Sequence, residues 1–160
     1  VFEDPFTFDV LREVKVSEAL VRDRSYVAFE PRATARQVLG RTLHAASWQD
    51  VFPVVGEEGR PLGLITTEAV RALATNSELL DFTVAADLIA MTACVMEDDD
   101  LHTALERMLG ESVRELLVLD QDGKITGFLG ESEIQAAYHR VTSADRSGAH
   151  RASLSPDSLR

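Results

Sequence analysis

The sequence predicts a mixed α/β (α+β) fold built twice over: two β-α-β-β-α units, related by a pseudo-two-fold axis, around a central cleft. Three observations predict it. Val54-Val55-Gly56-Glu57-Glu58-Gly59-Arg60-Pro61-Leu62-Gly63-Leu64-Ile65 reappears as Val118-Leu119-Asp120-Gln121-Asp122-Gly123-Lys124-Ile125-Thr126-Gly127-Phe128-Leu129, with both glycine pairs (59 and 123, 63 and 127) offset by 64. Two amphipathic helical stripes recur upstream of these segments at an offset of 66, measured from Thr34 to Asp100. The chain of 160 residues is 45% hydrophobic, enough to bury a core as one unit or two intimately packed ones.

The first repeat opens at Val16-Ser17-Glu18-Ala19-Leu20 and the second at Ala85-Ala86-Asp87-Leu88-Ile89, each read as a short helix. A brief apolar strand follows, Val27-Ala28-Phe29 in one half and Ala93-Cys94-Val95 in the other. Thr34 and Asp100 are good N-cap residues. Behind them Ala35, Val38, Leu39, Thr42 and Leu43, and likewise Leu101, Ala104, Leu105, Met108 and Leu109, fall at helical spacing and predict a face packed on a sheet. Next come strands Val51 to Val55 and Leu116 to Asp120, a glycine turn, and strands Leu62 to Thr66 and Lys124 to Leu129. Asp122-Gly123 suits a hairpin because glycine takes positive φ without a Cβ clash. Closing helices run from Thr67 to Ala74 and from Ser132 to about Arg140.

The domain reading is a lead-in over 1–14, repeats over 15–78 and 79–140, and a tail over 141–160. The tail has five serines and no hydrophobic periodicity, so a flexible segment is expected. The lead-in carries Phe2, Phe6, Phe8, Val10 and Leu11, too apolar for a free linker, and is expected to pack on its own or a neighbouring domain.

Net charge is −11. From Arg140 onward four arginines face Asp145 and Asp157, a balance of +2 that leaves −13 on residues 1–139. Such a surface repels phosphate backbones, so nucleic acid is not an expected partner. One cysteine, Cys94, precludes an intrachain disulfide and fits a reducing compartment. No apolar run approaches the roughly 18–20 residues that cross a bilayer. The chain starts at Val1 without methionine, which predicts a piece of a larger polypeptide.

The doubled β-α-β-β-α order, the Val-Ser-Glu and Ala-Asp-Leu openings and the Gly63-Leu64-Ile65-Thr66 and Gly127-Phe128-Leu129-Gly130 segments resemble a tandem CBS domain pair (a Bateman module) over roughly residues 15–140. The ending Glu133–Arg140 and the lead-in Asp4-Pro5-Phe6-Thr7 are similar to the cytoplasmic tail of prokaryotic CLC-type chloride channels and transporters. The resemblance implies a non-enzymatic regulatory module on the cytoplasmic side of the membrane, covalently attached to a transmembrane chloride-transport domain and homodimeric through its repeats. It requires no cofactor, and ATP, ADP or AMP would be the regulatory ligand of the cleft.

In that family a Gly-h-h-Thr-x-x-Asp element supplies an Asp for ribose hydroxyls, and a Thr with the helix N-terminus for phosphate. Here Thr66 is present but Ala69 replaces the Asp, whereas in the second repeat Glu133 stands for the Asp and Gly130 replaces the Thr. The resemblance therefore puts ribose on Glu133, the base among Tyr26, Val27, Gln49, Asp50 and Phe52, and Thr66 on the partner motif. No lysine or arginine stands within these motifs to neutralise a triphosphate. The alternatives are a structural dimerisation module with an empty cleft, and a stand-alone regulator or regulatory region of an enzyme.

Other residues read as scaffold. Glu97-Asp98-Asp99-Asp100 offers carboxylates to a hard cation, but its place before a helix makes it a capping run. His44, His102, His139 and His150 lack metal-ligand spacing. Cys94, between Ala93 and Val95, reads as a buried thiol, Ser132 as a helix cap, Tyr138 as packing, and Trp48 as either an adenine platform or a cover on the core edge.

Overall fold

Two hairpins of matching register hold the halves. Strand β1 (Val51–Val55) pairs antiparallel with β2 (Pro61–Thr66), and β4 (Glu115–Leu119) with β5 (Ile125–Gly130). The computed structural model describes residues 5–90 and 93–153, with side chains over 9–90 and 93–144. Val51 faces Thr66 as Glu115 faces Gly130, and each ladder slips at its fourth residue. The turns need glycine because Gly59 and Gly123 sit at φ 75° and 78°.

Strand β3 (Cys94–Met96), expected from the sequence to within a residue, adds parallel to β4. Its counterpart Val27–Phe29 does not form a strand. Only Phe29 pairs with β1, donating to Pro53 O at 2.9 Å and accepting from Val55 N at 2.8 Å. At Val27 the Gln49 side chain takes a strand's place: its Oε1 accepts from Val27 N (2.9 Å), and its Nε2 donates to Val27 O (2.8 Å) and Val51 O (3.0 Å).

Helices α2 (Ala35–Thr42) and α5 (Leu101–Glu111) start where the caps predict. Thr34 and Gln37 form a reciprocal capping box, and Asp100 accepts from Thr103 N at 2.7 Å. Both stripes are buried up to their last turn. Leu43 and Leu109, expected inside, are 74% and 67% exposed. They hold equivalent places at the C-terminal ends of their helices, past the residues that meet the core.

The opening segments cross between halves, which the repeat boundaries did not predict. Helix α1 (Pro5–Arg12) and the 3₁₀ turn Val16–Glu18 pack on the second half. Leu11, Val14 and Val16 enter its core with Leu101, Leu105 and Phe128, and Val16 N donates to Asp99 O at 2.8 Å. Helix α4 (Ser77–Phe82) and the 3₁₀ turn Ala85–Leu88 do the same on the first half, where Ala85 joins Phe29, Val38, Phe52 and Ile65, and Ala85 N donates to Ala33 O at 2.8 Å. The lead-in is thus one more duplicated element, with α4 as its repeat. Phe2 and the side chains of Phe6 and Phe8 lie outside the described residues.

Helices α3 (Thr67–Thr75) and α6 (Glu131–Ser153) close the repeats. Residues 141–153 are helical rather than a flexible tail. Ile134, Ala137, Tyr138 and Val141 anchor α6 on the second core, and each further residue then adds one backbone bond to a helix already nucleated. Residues 154–160 lie outside the described residues. Among the described residues no helix is long and apolar enough to cross a membrane.

Candidate functional site

The halves meet where the hairpins open. Asp50, just before β1, clamps the junction: its carboxylate accepts from Thr67 Oγ1 (2.9 Å) and Arg114 N (3.3 Å), while its own N–H donates to Glu115 Oε1 (3.2 Å). Thr67 Oγ1 also donates to Asp50 O at 2.8 Å. Glu115 occupies the place that Val51 holds in the first half, and it is 4% exposed. Burial raises its carboxyl from the ordinary 4.5 to about 7, with Asp50 and Glu133 adding repulsion against the lowering effects of the Asp50 N–H and Arg24.

Beside this junction lies an aromatic corner. Phe128 of β5 receives Tyr26 edge-on at 5.0 Å between centroids and Trp48 at 5.2 Å. The Arg24 guanidinium covers the Trp48 ring at 4.8 Å from its centroid and reaches Glu133 Oε1 at 3.4 Å. Glu133 Oε2 accepts from Gly130 N at 2.8 Å, folding the carboxylate back on the start of α6. At the matching start of α3, Thr66 Oγ1 accepts from Ala69 N at 3.2 Å. Each helix therefore carries half of a capping box: the N-cap hydroxyl in the first repeat, the N3 carboxylate in the second. A Cβ on Gly130 would stand 2.6 Å from Glu133 Oε2, so the carboxylate fills the space a threonine would need.

Residues 85–140 match the family model described as the CBS domain. An uncharacterized protein of Methanopyrus kandleri is 25% identical over 126 residues, 78% of this chain, and the chain spans 62% of that relative's length. Two solved structures superpose closely. The CBS domain of a bacterial CNNM/CorC family Mg²⁺ transporter in complex with ATP gives a TM-score of 0.65 at 20% identity, covering 83% of this chain and 92% of that one. CBSX2 in complex with AMP gives 0.65 at 21%, covering 81% and 98%. The fold is that of a CBS domain pair. Neither of these neighbours is a CLC-type protein, so the finer likeness to CLC tails is carried by the lead-in and α6 residues alone.

Within this fold, the residues singled out from the sequence separate into groups. Tyr26 and Glu133 share the aromatic corner. Val27 and Gln49 hold each other through the backbone, so the Gln49 amide is engaged in the fold. The Asp50 carboxylate is taken up by the junction. Phe52 is 3% exposed and packs on Phe29 at 6.3 Å between centroids. With Gln49 and Thr67 it borders a groove of about 330 Å³ between α2 and α3. Thr66 caps its own helix. The cap expected of Ser132 is supplied by Glu133, because α6 already begins at Glu131.

Arg24 and Glu115 lie outside the residues that the sequence motifs single out. Glu115 carried a signal, since the 64-residue offset sets a carboxylate against Val51. Arg24 carried none, for its partners come from other segments. The acidic run divides among Arg22, Gln121, Met96 N and Thr103 N, and no group that could hold a metal ion occurs among the described residues. The Cys94 thiol is pushed up by burial, away from thiolate chemistry, with Arg107 opposing.

Proposed function

We propose that this CBS pair is a non-enzymatic regulatory module that takes an adenine nucleotide in the cleft between its halves. The observation that carries the reading is the convergence of Tyr26, Trp48 and Phe128 with the Glu133 carboxylate at the start of α6. An aromatic platform beside a carboxylate fits a base and its ribose hydroxyls. The ATP and AMP complexes of structurally similar CBS proteins support it. In a thermal unfolding series, AMP, ADP or ATP at 100 times its Kd should add about 2.7 kcal/mol to stability. Glu133→Ala should weaken binding about tenfold, the loss of one charge-assisted contact. Unchanged affinity would remove the ribose role. Absence of any shift would leave the second reading, a structural module whose Thr66 and Glu133 serve only their helix caps.

The same reading places the module on the cytoplasmic side of a membrane beside a CLC-type chloride-transport domain, on the strength of its lead-in and α6 residues. A gene encoding no membrane span next to this segment would end that attachment. We also infer pairing with a second copy through α2 and α5. Leu43 and Leu109 support it: they are exposed leucines at equivalent positions. Sedimentation should give a dimer mass that Leu43→Glu with Leu109→Glu converts to a monomer, and a monomeric parent chain would refute it.

A further inference from the structure

Arg24 lies between the first 3₁₀ turn and Phe29, outside every motif of the repeat, yet its guanidinium makes two contacts at the centre of the proposed cleft. It covers the Trp48 ring at 4.8 Å from the centroid and meets Glu133 Oε1 at 3.4 Å. A planar cation on an indole face, with one edge turned to a carboxylate, copies the contacts an adenine nucleoside would make there. The Trp48 ring is held for that purpose by Phe128, edge-on at 5.2 Å.

The charge around the cleft sharpens the point. Asp50, Glu115 and Glu133 converge near one another, and the first turn of α6 carries Glu131 and Glu133. Glu133 already accepts the Gly130 N–H, so the α6 N-terminus presents a carboxylate where a phosphate would otherwise settle. A phosphorylated ligand therefore needs a cation from outside the repeat motif. Arg24 supplies one, in contact with Glu133 and near enough to Glu115 to lower its carboxyl.

We propose that Arg24 is a built-in occupant of the cleft: it holds the places of base and ribose on Trp48 and Glu133, and a nucleotide enters by displacing it and then keeps it as the partner of its phosphate. The inference rests on the nucleotide reading above. It adds the residue that sets the strength of binding and the preference for phosphorylated ligands.

Trp48 is the sole tryptophan of the chain, so its fluorescence reports the cleft directly. Without ligand, Arg24→Gln should uncover the ring and raise acrylamide quenching about twofold relative to the parent, as expected on removing a stacked cation. Unchanged quenching overturns the placement of Arg24. In titrations, Arg24→Gln should bind adenosine about fivefold more tightly, because an occupied site lowers apparent affinity by the fraction of molecules that are open. The preference for ATP over adenosine should fall about tenfold with loss of the charge-assisted phosphate contact.

Arg24→Lys keeps the charge without the planar fork, and should gain adenosine affinity while retaining the ATP preference. Parent and variant binding both ligands in the same ratio would overturn the role of Arg24 and leave the nucleotide reading standing. Adenosine binding to Arg24→Gln but not to the parent would support both. Binding to none of the three proteins would overturn both.

Discussion

Gly127→Ala is expected to destabilise the chain by about 3 kcal/mol, the range of overpacking against fixed backbone. A Cβ at Gly127 would overlap Val21 O and lie 2.6 Å from Leu20 Cδ1. Val21 cannot retreat without losing its bridge to Phe128, where Val21 N donates at 2.9 Å and Phe128 N returns the bond at 3.1 Å. The equivalent Gly63→Ala meets the Ile89 side chain instead, which can rotate, so its cost should be smaller, about 1–2 kcal/mol. Gly110→Ala is the control. Nothing lies within 4 Å of a Cβ there, and a helical alanine should gain up to about 1 kcal/mol over glycine. Urea unfolding of the three variants checks the order, and a Gly127→Ala midpoint equal to that of the parent would refute the close approach of the crossing segment.

Glu115→Gln is expected to stabilise the chain at pH 8 and to do little at pH 4. The folded carboxyl titrates at about 7 against an ordinary 4.5. Between those values the folded form keeps a proton that the unfolded chain releases, so wild-type stability falls as pH rises through that window. Below about 4.5 both states are protonated and the effect vanishes, while above about 7 the buried charge costs its full amount, at most about 3 kcal/mol. Glutamine preserves an oxygen for the Asp50 N–H and carries no charge. The gap between variant and parent should open from pH 4.5 to 7 and then level, reaching roughly 6–10 °C in Tm. A gap that is constant with pH would show that Glu115 titrates in the folded chain where it does in the unfolded one, and would refute the raised carboxyl.

Much of the architecture was legible because it depends on short-range chemistry. The apolar run marks Val51–Val55, Thr34 and Asp100 mark the helix starts by their caps, and Gly59 and Gly123 mark turns that require positive φ. Val27–Phe29 departs from the expected strand because a side chain, Gln49, takes a strand's hydrogen bonds, and side-chain substitution leaves no periodic trace. The residues that the resemblance implies for the cleft fall into two sets. Glu133 and Tyr26 do face one corner, whereas Gln49, Asp50 and Phe52 are taken up by backbone, junction and core.

By itself the sequence determined the duplication, the two hairpins with the capped helices before them, and the half-degenerate motifs, because each is set by spacing and by residues close along the chain. Only the tertiary structure decided that the opening helices cross to the opposite half, that Gly63 and Gly127 serve those crossings, and that Arg24 lies on Trp48 and Glu133. Those features join residues from 24 positions apart, as with Arg24 and Trp48, to 109 apart, as with Arg24 and Glu133. Such contacts form because two halves too small to bury their own faces close on each other, and that closure follows from packing rather than from local pattern.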